Sequence, residues 1–170
     1  MQILFQVLGA FFTGNLIEWI LHRYLLHGVG RRPRNIFSFH WLRHHRLVRR
    51  LNFRDPDYGR SWIHGVTRHG LSGSAPEVVG LITLVLLVAP VSLILPYYYC
   101  GLVFWAILYY VLHKLSHKYP NFGKTYMPWH YDHHMARNQD ANWCVTFPLV
   151  DYLLRTRVKP CPTSPTDSVK

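Results

Sequence analysis

No lysine or arginine occurs in residues 1–22 and none in residues 69–113, although the chain of 170 residues carries nineteen of them. Every basic side chain falls in 23–68 or 114–170, and the two base-free stretches are also the long apolar ones. A bilayer imposes this segregation, because its core excludes Lys and Arg while its cytoplasmic face collects them. The formal net charge of +11 would by itself suggest nucleic acid or an anionic surface. A nucleic-acid binder carries its basic side chains on a compact fold without such apolar runs, so no nucleic-acid partner is expected.

The first 27 residues read as an apolar helix, long enough for the roughly 20 residues that one crossing needs, and Gly28 and Gly30 stop it. It has no basic leader and no small-residue cleavage site, so it reads as a retained helix. Residues 36–50, with one aromatic and one basic face, suit the membrane interface. Residues 51–75 are rich in turn formers and read as a loop with short helical pieces. Two more apolar helices are expected over 76–95 and 97–117, joined near Leu95–Pro96. A shallow, re-entrant hairpin is the alternative, since Pro90 and Pro96 interrupt the first of them. Residues 118–157 are polar and aromatic, and the Pro/Ser/Thr-rich tail 158–170 is expected to be disordered. The expectation is thus one all-α integral-membrane domain over 1–157. It has about three apolar helices, an N-terminal span plus a hairpin, with interfacial helices around a cytoplasmic site.

That site is announced by histidine. Ten of the twelve histidines fall in four clusters: His22/His27, His40/His44/His45, His113/His117 and His130/His133/His134. A spacing of four places two side chains on one helix face, so His40/His44, His113/His117 and His130/His134 should each bite one ion, with His133 on the same face as His130. His22 and His27 are five apart, and share a site only if the helix unwinds near Gly28. Ten imidazoles exceed the needs of one ion and suit two. Imidazole selects iron, copper, zinc or nickel. Cys100, Cys144 and Cys161 form no C-x-x-C pair, which argues against a thiolate site. Left without metal, so many clustered rings would strand polar nitrogens at about 1–3 kcal/mol each. His64 and His69 read as ordinary isolated histidines. Glu18, one turn before His22 in an apolar helix, reads as a partner for that ligand's second ring nitrogen; snorkelling or pairing with Arg23 is the other reading. Asp132, Asn142 and Asp151 are either similar supports or turn and cap residues.

The four clusters, followed by Asn142-Trp-Cys-Val-Thr-Phe-Pro, Asp151 and Thr156, resemble the fatty acid hydroxylase superfamily of sterol desaturases, fatty acid hydroxylases and carotenoid hydroxylases. The likeness runs from Glu18 to Thr156. Cys144 stands where that family has Gly, and Leu154-Arg155 where it has Phe-Gly. The resemblance implies that His22, His27, His40, His44, His45, His113, His117, His130, His133 and His134 ligate two iron ions at the cytoplasmic face, with Glu18 and Asn142 as supporting catalytic residues. Zinc could replace iron in a purified sample. It also implies a multi-pass membrane enzyme that oxidises a lipid C–H bond with O2, its C-terminus cytoplasmic and its electrons drawn from a separate ferredoxin or cytochrome b5 type of protein. Phe11, Phe12, Trp105 and Tyr109 could line a gap for the lipid chain, or simply pack. A desaturase, a zinc sensor or carrier, and a bis-histidine haem protein are the rivals. A zinc protease is not, because no H-E-x-x-H occurs.

Overall fold

The computed structural model describes residues 1–68 and 70–159. Nearly all of the expected tail, and His69, lie outside the described residues. Helix α1 (Gln2–Ile20) runs without a break into a π-helical segment, Leu21–Val29. A turn leads to a second π-helical segment, Phe39–His45, which continues as α2 (Arg46–Arg50). The loop that follows holds two short 3-10 turns, Pro56–Gly59 and Trp62–Gly65, and a two-residue antiparallel ladder of β1 (Val66–Thr67) and β2 (Gly70–Leu71). Helix α3 (Ala75–Leu87) then leads through the 3-10 turn Ala89–Leu93 into α4 (Pro96–Lys118). Three short helices complete the described residues: α5 (Pro120–Tyr126), α6 (Pro128–Met135) and α7 (Leu149–Leu153).

Two helices, Gln2–Val29 and Pro96–Lys118, are long and apolar enough to cross a membrane. The expected helix over 76–95 is corrected: α3 stops after 13 residues. Pro90 lacks an N–H and its ring clashes with a continuing helix, so the chain tightens to 3-10 there. At about 1.5 Å per residue, α3 falls short of the roughly 30 Å hydrocarbon core.

Helices α1 and α4 run parallel in direct contact. Ala10 meets Gly101, and Gly14 lies under the Trp105 indole so closely that a Cβ there would sit 2.5 Å from the ring. Small residues allow the two backbones to approach this closely. Phe11 stacks edge-on against Trp105 at 5.0 Å, and Tyr109 is buried with Met127 and Val145. Trp105 and Tyr109 are therefore packing residues, and no gap for a lipid opens between α1 and α4 at this level. The parallel pair carries the histidines at the ends of both helices to the same pole. Around it wraps the last segment. Asn15 of α1 donates to the Phe147 carbonyl at 2.7 Å and accepts from the Val150 amide at 3.0 Å.

Candidate metal centre

At that pole, ten buried histidines form two adjoining groups. In site A, one ring nitrogen each of His22, His27, His40, His45 and His133 lies within 4.8 Å of the others; His44, His113, His117 and His134 do the same in site B. His130 adjoins site B, its Nε2 3.0 Å from His117 Nε2. Exposed His64 stands apart.

The two π-helical segments explain the grouping. Their i→i+5 hydrogen bonds bring residues five apart onto one face. His22 and His27 therefore share site A with no unwinding at Gly28, and His40 and His45 join them. This corrects the expected four-residue pairings. His40 and His44 are split between the sites, and so are His133 and His134. His113 and His117, on regular α4, share site B at a spacing of four, and His130 adjoins that site beside its expected partner His134. Consecutive residues of a helix point about 100° apart, so the dyads His44-His45 and His133-His134 each reach into both sites and tie them together. Gly30 closes the first segment where the backbone crowds: a Cβ there would fall 2.1 Å from the Leu26 carbonyl.

The outer ring nitrogens fix the tautomers. His22 Nδ1 lies 2.5 Å from the Trp143 carbonyl, His133 Nδ1 2.7 Å from that of Ala141, and His117 Nδ1 3.0 Å from that of Phe53. His44 Nδ1 lies 2.7 Å from Asp55 Oδ2 and His113 Nδ1 2.5 Å from Glu77 Oε1. Carbonyl oxygens and carboxylates only accept, so each of these five Nδ1 atoms carries the proton and each Nε2 presents a bare lone pair. In site B, His44 Nε2, His113 Nε2 and both nitrogens of His134 are buried with no hydrogen-bond partner. In site A neighbouring Nε2 atoms stand 2.9–3.3 Å apart. Donors at 2.0–2.1 Å from one ion would be separated by about 2.9 Å in an octahedron and about 3.3 Å in a tetrahedron. The donor set thus fits metal ions, which would occupy the lone pairs that no protein group satisfies.

Electrostatics agree. Burial holds His40, His45, His130 and His134 well below the ordinary imidazole range, and lowers His133 to about 4. Burial also lowers His44, against the pull of Asp55. Burial pushes the Asp55 carboxyl up, but its hydrogen bond and attraction to His44 prevail and leave it below its usual value. Neutral imidazole is the ligating form.

Glu18 is not where the sequence suggested. It touches no histidine; its carboxylate accepts from the Val145 and Thr146 amides and, at 2.6 Å, from the Thr146 hydroxyl. Asn142 does not reach the centre either. It holds a left-handed φ of 60° and binds the Val158 amide at 2.8 Å and carbonyl at 2.9 Å, so ordered pairing passes the expected boundary at 157. Asp151 caps the Trp143 and Cys144 amides, and Asp132 pairs with Arg157. Sequence reasoning missed Asp55, Glu77 and Tyr58, whose hydroxyl donates to Glu77 Oε2 at 2.5 Å. Glu77 carried a usable signal, a carboxylate in an otherwise apolar helix, as Glu18 did.

Comparison with family models, with curated proteins and with solved structures gives no match.

Proposed function

We propose that this chain is a membrane-bound, non-haem di-iron oxidoreductase that hydroxylates a lipid C–H bond with O2. The observation that carries the metal reading is the set of bare imidazole nitrogens converging in site B, braced from behind by Asp55, Glu77 and the Phe53 carbonyl. Two adjoining all-nitrogen groups at the end of a pair of apolar helices, together with the likeness of the histidine clusters to the hydroxylase family, support the enzymatic reading. The overall stoichiometry consumes O2, two electrons and two protons, placing one oxygen in the product and the other in water. The electrons come from a separate ferredoxin or cytochrome b5 type of protein. The positive-inside rule orients the centre and the C-terminus to the cytoplasm.

When bound, the ion pair supplies O2 activation. The chain's residues supply the rest. Site A takes its ion on His22, His27, His40, His45 and His133; site B takes its own on His44, His113, His117 and His134, with His130 beside them. Trp143 and Trp41 cover site A, packing on His27 at 4.8 Å and 4.7 Å. Phe53 and Tyr58 cover site B, packing on His117 at 4.6 Å and on His113 at 4.9 Å. These aromatic walls exclude water from the lone pairs.

Metal analysis of protein from iron-supplemented cells, paired with lipid mass spectrometry against His117→Ala and His133→Ala controls, tests the proposal. It expects two iron ions per chain and a lipid gaining one oxygen in the wild type alone. A lipid losing two hydrogens instead identifies a desaturase. Bound zinc with identical lipids in all three strains identifies a non-catalytic metal protein, and protein that takes up no transition metal sinks the proposal.

A further inference from the structure

The two sites are braced by different chemistry. Behind site B stand two buried carboxylates, Asp55 on His44 and Glu77 on His113, with side chains 3% and 7% exposed. Glu77 is itself fixed by the Tyr58 hydroxyl, and Asp55 by the Asp57 amide, which donates to its other oxygen at 2.9 Å. Behind site A stand neutral groups: the Trp143 and Ala141 carbonyls on His22 and His133. Among the described residues the carboxylate paired with a ring of site A is Asp140, 3.8 Å from His27 Nδ1; it is 54% exposed and pairs with Arg31, while buried Asp151 turns both oxygens to the Trp143 and Cys144 amides. The Gln139 amide nitrogen, which also donates to the His134 carbonyl, lies 2.9 Å from His45 Nδ1. That side chain is a neutral amide, so no charge stands behind the His45 ring.

We infer that the two sites bind metal unequally: site B is the tight site, filled first and emptied last, and site A is the exchangeable one. This rests on the metal-binding reading above. A carboxylate accepting Nδ1–H makes the opposite nitrogen a stronger donor. Two buried negative charges also compensate a divalent ion far better than a carboxylate in water, where screening is strong. Site A has one more nitrogen in its group, but His130 beside His117 offsets that count. Asp55, Glu77 and Tyr58 are thus positioning residues for the site B ion, acting through His44 and His113, and Gln139 acts on site A through His45.

The test uses the full chain in detergent, stripped of metal, loaded with Zn2+ and dialysed against rising chelator while zinc per chain is counted. The wild type is expected to lose zinc in two stages, with a plateau at one ion. Asp55→Asn and Glu77→Gln should weaken the retained ion by about 10–100-fold and erase the plateau. Gln139→Ala should move only the first stage. Tyr58→Phe, which leaves the carboxylate in place, should weaken the retained ion less, and it serves where Glu77→Gln does not fold. Near-ultraviolet circular dichroism of each metal-free variant confirms folding. Loss of both ions in a single stage overturns the inference, as does a plateau unmoved by the carboxylate variants. Failure to load two zinc ions at the outset instead counts against the metal-binding reading itself.

Discussion

Glu18 receives the returning end of the chain. Its carboxylate holds the amides of Val145 and Thr146 and the Thr146 hydroxyl, and the same irregular segment presents the Trp143 carbonyl to His22. A carboxylate deep in an apolar helix is costly unless satisfied, and here non-helical backbone supplies its donors. Glu18→Ala would strand two buried amides at about 1–3 kcal/mol each, so the variant should lose about 2–5 kcal/mol of stability and hold site A metal less firmly. Glu18→Gln keeps an accepting oxygen and should lose less. Denaturant unfolding of both variants in detergent measures this order, and an Ala variant as stable as the Gln variant would remove Glu18 from this role. Asn142 belongs to the same segment. Its left-handed backbone explains a residue type tolerant of φ > 0, and its amide fastens Val158 rather than the metal centre.

Helices set how closely these residues can be brought together. Gly14 lets Trp105 sit on the α1 backbone, where a Cβ would fall 2.5 Å from the ring. Gly14→Val should overpack this contact and destabilise the protein by about 1–3 kcal/mol. Gly9→Ala, whose Cβ would stand 3.6 Å from Tyr98, should be neutral or stabilising through helix propensity. Thermal midpoints of the two variants in one detergent decide the matter, and equal midpoints would show that α1 and α4 are not held in this register. Such contacts mark the border of what sequence reveals. Helix α4 was legible to within a residue because its apolar run is unbroken. The π-helical segments were not, since apolar periodicity reports faces and not hydrogen-bond register; the five-residue intervals His22–His27 and His40–His45 were the hints. All ten buried histidines were legible from residue type and number. Their allocation was not, because each His-His dyad points two ways. Asp55 and Glu77 stayed hidden because they meet their histidines across 11 and 36 residues of chain.

Six of the buried imidazoles, those outside the two long apolar helices, also make the fold answer to pH together. In the unfolded chain a histidine takes a proton near pH 6.5. In the fold, burial keeps His133 neutral down to about 4, and His40, His44, His45, His130 and His134 are likewise depressed. As pH falls below about 6.5 the unfolded state gains protons that the folded state refuses. Each such histidine then removes up to about 1.4 kcal/mol per pH unit. Asp55 is depressed as well. Its contribution holds above the usual carboxylate range and fades only as the carboxyl protonates below it, so it does not mask the histidines between 6.5 and 4. Metal adds to the same trend, because a ligating nitrogen must shed its proton. Stability should therefore be level above about pH 7.5 and fall steeply toward pH 5, more steeply for metal-loaded protein than for metal-free protein. Thermal midpoints at pH 8, 7, 6 and 5, with and without chelator, give the slopes. A midpoint unchanged across that range in metal-free protein would mean that water reaches the imidazoles and protonates them in place, contrary to the dry, aromatic-walled centre described above.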